Sequence, residues 1–262
     1  MENNTTSTMV YRASILERLV PGLVHGFSGH LAYDDLGAYG EAVDHLLKPI
    51  GGWESAPVLL AQPHLPKVWF MEGDAPPPHG VDHQGFALEF DGASSPFGLN
   101  ALLTIRSADC VPVLAVDPRL GVYAALHAGW RGAAAGILPN LLEGWWARGG
   151  RPGDVVLAFG PSIGPCCFEV GRECVEGFDP AHLEGALNKQ GAQPRIDLHR
   201  VLRNQARLAG VPDDRIQSIG HCTFCHREDG RAPLASYRRA QRAGEPTEGR
   251  NISFIGVLPT TS

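Results

Sequence analysis

The 262-residue sequence has no apolar run approaching the ~20 residues that a membrane-spanning helix needs. It has no excess of basic residues either. Lys and Arg total 22 against 28 Asp and Glu, giving a net charge of −6 and a pI of about 6.0. That balance argues against nucleic-acid binding through a basic face and against polybasic attachment to a membrane. No Gly-x-Gly-x-x-Gly follows a strand-like run, and no Walker A sequence occurs, so a nucleotide-cofactor fold has no support. The opening MENNTTSTMV carries neither a basic n-region nor an apolar h-region. No secretory signal is therefore expected, and the expected compartment is the cytoplasm. Repeats, heptads and low-complexity segments are also missing.

What is present is enough apolar residue, 44% of the chain, for a sizeable core. The 32 glycines and 21 prolines are spread along the chain rather than gathered in linkers. Residues 1–9 are polar and read as a flexible N-terminus, with 10–262 forming a single domain. The cysteines are Cys110, Cys166, Cys167, Cys174, Cys222 and Cys225. In a long cytoplasmic chain they read as core thiols, metal ligands or nucleophiles before disulfides.

Short apolar runs predict strands over 10–15, 58–61, 67–71, 102–105, 111–116, 121–126, 155–159, 216–219 and 252–257. A short helix over 42–47 would end at Pro49. The stretch 73–85, with three consecutive prolines, reads as a surface loop carrying solvent-facing His79 and His83. After residue 132, Ile137, Leu138, Leu141, Leu142, Trp145 and Trp146 share one helical face. Pro139 either starts that helix or kinks it. Residues 197–209 predict a further helix, with Asp197 as N-cap and Gly210 at its stop. Strands interleaved with three or four helices in no strict alternation favour an α+β fold with mixed β-sheets.

Three segments carry chemistry: Gln62-Pro63-His64, Ser107-Ala108-Asp109-Cys110, and His127-Ala128-Gly129-Trp130-Arg131-Gly132. Two antiparallel strands between Cys110 and His127 would return the chain to one end of a sheet, setting thiol beside imidazole. Such a pair supports a nucleophilic cysteine with a histidine base. With His64 as third ligand it equally supports a metal site with an open position. A buried thiol and a satisfied core histidine are the structural alternative. Asp109 is a candidate proton acceptor or a turn carboxylate, and Arg131 a phosphate clamp or a loop-fixing ion pair. Trp130 would stack on a base or join the core, and Cys166 and Cys167 would line the pocket or pack. Glu169 would touch substrate or a metal-bound water. For Cys222 and Cys225, flanked by His221 and His226, packing is favoured over a second metal, because no separate ligand pair stands nearby in sequence.

The stretches Ala108-Asp109-Cys110-Val111-Pro112-Val113-Leu114-Ala115-Val116-Asp117, HAGWRG at 127–132, GPSIGPCCFEVG at 160–171, Cys222-Thr223 and Ser236-Tyr237-Arg238-Arg239 occur in this order. Together they resemble the YfiH/laccase-domain family, also described as multicopper polyphenol oxidoreductase-like and as purine nucleoside phosphorylase. The resemblance runs from about Gln62 to Gly256. It implies an α+β fold with mixed β-sheets packed between helix layers. It implies Zn2+ held by His64, Cys110 and His127. With that ligand set, the residues expected to be catalytic are Asp109, Cys110 and His127, and those expected on the substrate are Gln62, Arg131 and Glu169. The implied activities are phosphorolysis of purine nucleosides (adenosine, inosine, guanosine, methylthioadenosine) and hydrolytic deamination of adenosine. The partners are then small molecules, purine nucleoside and phosphate, with no nucleic acid and no membrane. Some bacterial members are linked instead to editing of peptidoglycan precursors, which a Cys–His hydrolase would perform; an accessory metal-binding protein is the third reading. Leu65 stands where the family has glycine. Gly26-Phe27-Ser28-Gly29-His30 lacks the family's arginine, and the asparagine of the following stretch is also missing. The 11 histidines include no His-x-His, which disfavours a multicopper centre, although copper would compete for the Cys–His site.

Overall fold

A computed structural model describes residues 9–32, 36–48, 53, 56–73, 80–81, 86–87, 89–246 and 249–258. Pro49, His79 and His83, with most of the predicted N-terminal tail and of the loop over 73–85, lie outside the described residues. Two mixed sheets stack face to face, and helices cover their outer faces.

The first sheet is built from β1 (Val10–Tyr11), β2 (Leu23–Leu31), β3 (Pro57–Val58), β6 (Leu102–Ser107) and β13 (Arg250–Val257), in the order β1-β2-β13-β6-β3. The second contains β4 (Val68–Phe70), β5 (Gly92–Pro96), β7 (Val111–Asp117), β8 (Val122–Ala128), β9 (Val156–Phe159) and β12 (Ile216–Ser218), in the order β12-β9-β7-β8-β5-β4. A small hairpin pairs β10 (Leu187–Asn188) with β11 (Arg195–Ile196). The helices are α1 (Leu36–Leu47), α2 (Trp130–Ala134), α3 (Ile137–Trp146), α4 (Arg172–Glu176), α5 (Leu198–Leu208) and α6 (Tyr237–Ala243). These six, among the described residues, exceed the three or four expected, because α4 and α6 are too short and polar to show an apolar period. No helix is long and apolar enough to cross a membrane among the described residues.

Strand alternation explains the layers. On β7, Val113 and Ala115 face α3 and α5, joining Leu138, Leu141, Trp145, Val201 and Leu202. Leu114 and Val116 face the other sheet, joining Ile105, Phe27 and Ile255. All of β7 is buried, so it reads as a continuous apolar run rather than an alternating one. On the far side, Tyr39, Val43 and Leu47 of α1 pack on Leu102, Ile252 and Phe254.

Several boundaries differ from expectation. The run 10–15 is strand only at Val10–Tyr11 and then turns into a 3-10 segment, Ser14–Leu16. Pro139 does not start α3, which runs from Ile137 to Trp146. Gly136, left-handed at φ 87, caps a helix that begins two residues before the proline. In the first turn the missing proline N–H has no intrahelical partner to lose. Asp197 caps α5 by accepting the Arg200 N–H at 3.1 Å, as the sequence predicts. Four strands escaped the sequence reading: β2 (LVHGFSGHL) and β5 (GASSP), whose glycine, serine and histidine content hides them, and β10 and β11, which are two residues each. Gly92 is required where β5 meets β8: a Cβ there would lie 2.3 Å from the Leu126 side chain.

Candidate metal centre and substrate cavity

The β7–β8 hairpin brings the thiol and the imidazole together. Its register pairs Val111 with Ala128 and Pro112 with His127, so Cys110, just before β7, sits at the end of the hairpin that carries His127. The preceding turn, 108–110, is the crossing from the first sheet to the second. His64 arrives from the turn between β3 and β4. The ligand atoms of His64, Cys110 and His127 all lie within 4.8 Å of one another. Cys110 Sγ is 3.9 Å from His64 Nε2, and the two imidazole rings meet edge-on with centroids 4.9 Å apart.

One residue outside the sequence reading organises this cluster. Asp91, fully buried at the start of β5, accepts a hydrogen bond from His127 Nδ1 at 2.8 Å. That fixes the tautomer and leaves Nε2 as the donor atom on the cluster side. The same carboxylate accepts the backbone N–H of His64 at 3.0 Å and of Leu65 at 2.7 Å. Its backbone carbonyl accepts the His127 N–H at 2.7 Å, extending the β5–β8 ladder by one step. The 62–64 turn needs this support, because Gln62 and His64 are both left-handed, at φ 59 and 66. Such residues cost of order 1–3 kcal/mol each unless their surroundings hold them.

Gln62 braces the other side of that turn. Its Nε2 donates to the Arg106 carbonyl at 2.7 Å and its Oε1 accepts the Arg106 N–H at 3.0 Å. Asp109 is also left-handed, at φ 96. Its Oδ1 accepts from Thr223 Oγ1 at 2.6 Å and its Oδ2 from the Arg238 N–H at 2.7 Å. It thereby ties the Cys222-Thr223 and Ser-Tyr-Arg-Arg segments to the turn bearing Cys110.

The electrostatics follow from this crowding. Burial alone pushes the Cys110 thiol up, but the imidazoles of His127 and His64 outweigh it and bring it down to about 6. Burial likewise opposes a charged His127, yet the Cys110 sulfur and the Asp91 carboxylate raise it to about 9. A thiolate beside two imidazoles, with one face open to a cavity, is a donor set for a borderline-soft divalent metal.

The cluster opens into a cavity of about 520 Å³, the size of a small-molecule site. Gln62, His64, Asp109, Cys110, His127 and Arg131 all line it. So do Arg106, Arg238 and Arg250, which sequence reasoning did not assign a role. Four arginines around one cavity make a positive site on a protein of negative net charge. Arg131 holds its guanidinium 4.2 Å over the Trp130 ring and reaches Glu173 only at 3.5 Å, its side chain 58% exposed. Arg106 is committed differently, to the Leu60 carbonyl and the Phe86 face. Phe168 and Tyr237 add aromatic wall, with Tyr237 55% exposed. Glu169 does not line the cavity: its carboxylate is paired to Arg195 and Arg242 at 2.8 Å each, and its backbone carbonyl accepts from the cavity-lining Arg238 side chain at 3.1 Å. Cys166 and Cys167 do not line it either.

Sheet order, helix layers and this cluster define an α+β protein with a two-histidine, one-cysteine centre. The chain belongs to the multi-copper polyphenol oxidoreductase laccase family, whose pattern matches residues 30–258. It is 36% identical over 184 residues to purine nucleoside phosphorylase YlmD of Geobacillus stearothermophilus, covering 68% of this chain and 64% of that one. It is 36% identical over 157 residues to adenosine deaminase RL5 of an unknown prokaryotic organism, covering 55% and 57%. The chain thus spans less than two thirds of the length of either relative. The crystal structure of YlmD from Geobacillus stearothermophilus shares the fold, with a TM-score of 0.79 over 98% of both chains at 24% identity.

Proposed function

We propose that the protein is a zinc-dependent purine nucleoside phosphorylase that also deaminates adenosine, acting in the cytoplasm. The observation that carries this reading is the His64–Cys110–His127 donor set opening into a cavity ringed by arginines. Zinc held by these three residues would supply a Lewis acid and lower the pKa of a bound water to ~7. The names of the two relatives, a phosphorylase and a deaminase, support the pairing of activities.

The chain's own residues divide the remaining work. Arg131, held by the Trp130 face and a 3.5 Å contact with Glu173, binds phosphate through its planar fork, and Arg238 adds charge to the same cavity. Trp130, Phe168 and Tyr237 offer faces on which a purine stacks. Phosphorolysis forms a bond from a phosphate oxygen to the ribose carbon and breaks the bond to the purine nitrogen, which leaves with a proton. Deamination adds water oxygen to the purine ring and releases ammonia. Asp109 takes the proton from the attacking oxygen; each of its carboxylate oxygens accepts one hydrogen bond and retains a lone pair. Gln62 positions His64 through the Arg106 backbone. Glu169 acts at one remove, holding the Arg195 and Arg242 side chains outside the cavity.

A second reading has its own observation. Cys110, His127 and Asp91 form a chain of thiolate, imidazole and orienting carboxylate, the arrangement of a cysteine hydrolase acting on an amide such as a peptidoglycan precursor. The deciding experiment is turnover of inosine with phosphate and of adenosine without it, before and after chelation. The proposal expects both activities in the metallated protein and neither in the stripped one. Amide cleavage that survives chelation would select the hydrolase instead.

A further inference from the structure

The cysteines outside the cavity converge. Cys166 and Cys167 follow the Gly164-Pro165 turn after β9, while Cys222 and Cys225 lie beyond β12, more than fifty residues later in the chain. Their four sulfurs all lie within 4.8 Å of one another, and Cys166 Sγ is 3.6 Å from Cys225 Sγ. Four thiolates at ~2.3 Å from a tetrahedral zinc stand about 3.8 Å apart. All four are free thiols, and a 3.6 Å separation is far from the ~2.05 Å of a disulfide.

We propose that Cys166, Cys167, Cys222 and Cys225 form a second, tetrathiolate metal site that takes zinc as a structural ion, separate from the cavity centre. The backbone is arranged for it. The Gly164 N–H donates to Cys222 Sγ at 3.2 Å, a contact that favours sulfur carrying negative charge. The Cys222–Cys225 segment closes a turn in which the His226 N–H donates to the Cys222 carbonyl at 2.9 Å. The two segments are already joined by the Thr223 N–H donating to the Ser162 carbonyl at 2.9 Å. Cys166 and Cys225 are exposed, so an ion reaches the sulfurs from solvent.

The histidines flanking the second pair are not the missing ligands. The His221 and His226 rings lie 4.2 Å apart against each other, and His226 Nε2 is paired with Glu228 at 2.8 Å. The second ligand pair comes instead from the adjacent cysteines of another loop, which is why spacing along the chain did not reveal it. Four protein ligands leave no open position, the mark of a structural rather than a catalytic site. The site also has something to hold. Ile163, on one segment, donates its N–H to the Asp109 carbonyl at 2.9 Å, and Thr223, on the other, donates to the Asp109 carboxylate. A metal clasping both segments would therefore steady the turn that carries Cys110. Binding releases the proton of each thiol still protonated.

Cobalt(II) provides the test, because thiolate-to-cobalt charge transfer grows with the number of sulfurs bound. The protein to use is Cys110→Ser, whose cavity centre has lost its only sulfur, reduced and stripped of metal. Stoichiometric cobalt should give tetrahedral d–d bands and the charge-transfer intensity of four thiolates, and zinc should then displace it. Adding Cys166→Ser and Cys225→Ser should abolish the signal. Should that triple variant fail to fold, the parent variant still decides: its reduced form either shows tetrathiolate cobalt absorption or does not. Absence of that absorption overturns the proposal. So does a disulfide among the four cysteines found by mass spectrometry in protein purified anaerobically with zinc.

Discussion

His127 Nδ1 donates to Asp91 Oδ1 at 2.8 Å, and the same buried carboxylate holds the backbone N–H groups of His64 and Leu65. One side chain thus orients two of the three proposed ligands, one through its ring and the other through its turn. Outer partners of metal-binding histidines typically matter 10–100-fold in metal affinity. Asp91→Asn keeps the shape but removes the charge and leaves one acceptor oxygen for three donors. Its zinc affinity at the cavity centre should fall by that 10–100-fold, measured by competition with a chromophoric chelator. Unchanged affinity would show that the ligands position themselves.

Asp91 also shows where sequence reading stopped. The Cys110–His127 pairing was legible because an antiparallel hairpin has fixed arithmetic: two apolar runs with a turn between them must bring their outer ends together. The layered α+β architecture was legible for a similar reason, since β7 and β9 are apolar on both faces. Asp91 was not, because its importance depends on β5, a strand of small residues with no alternation to see. The arginines of the cavity come from β6, α2, α6 and β13, and only the tertiary fold gathers them. Net charge averages over the whole surface, so −6 was silent about a positive cavity. Glu169 reads as chemical because it stands among glycine and apolar residues; the structure pairs its carboxylate with Arg195 and Arg242, neither of which lines the cavity.

Arg131 is the test of the phosphate subsite. Its weak 3.5 Å contact with Glu173 leaves the guanidinium available to an anion. A charge-assisted hydrogen bond is worth about 1.5–3 kcal/mol, or roughly tenfold and upward in binding. Arg131→Ala should therefore raise the KM for phosphate in phosphorolysis at least tenfold and leave adenosine deamination within about twofold. Equal loss of both activities would assign Arg131 to holding the 127–132 segment together.

Cys110 distinguishes the two proposed chemistries through its reactivity. As a zinc ligand its charge is committed to the metal, so iodoacetamide should label it slowly in metallated protein and quickly after chelation. In the stripped protein the thiol is held down to about 6. The labelling rate should then be near its plateau at pH 7 and fall tenfold per pH unit well below 6, where the thiol is protonated. Peptide mass spectrometry reads the modification at Cys110 directly. Rapid labelling of fully metallated, active protein would remove Cys110 from the ligand set.

His25 predicts an acid-sensitive fold. It is 2% exposed on β2, its Nε2 accepts the Ala13 N–H at 3.2 Å, and burial with the Arg12 charge lowers it to about 4. Unfolded, it titrates at about 6.5, so between pH 6.5 and 4 the unfolded chain binds the extra proton. The stability that a neutral His25 provides is complete above pH 6.5 and is lost as pH falls towards 4, at most about 3 kcal/mol. His25→Gln retains an acceptor for Ala13 and cannot titrate. Its denaturation midpoint should vary less with pH over this window than that of the parent; identical pH profiles would place the acid-labile group elsewhere.

The two glycines of the 127–132 segment separate the metal centre from the fold most cleanly. Gly129 has extended backbone, φ −67 and ψ 165, which any residue adopts, so an alanine there meets no backbone strain. Its Cβ, however, would lie 2.7 Å from His64 Cδ2 and 2.9 Å from Cys110 Sγ. Neither can retreat freely: the His64 backbone is held by Asp91, and Cys110 leads directly into β7. Gly132, three residues on, is inside α2, and the nearest atom to its Cβ would be the Leu65 carbonyl oxygen at 3.6 Å, an ordinary contact. Alanine is also the better helix former, by about 1 kcal/mol. Gly129→Ala should therefore lose the cavity metal and both nucleoside activities by at least tenfold, while Gly132→Ala keeps metal and activity and unfolds no earlier than the parent. Circular dichroism melting and metal analysis of the two variants side by side measure this. Full metal occupancy in folded Gly129→Ala would mean that His64 and Cys110 do not share one ion.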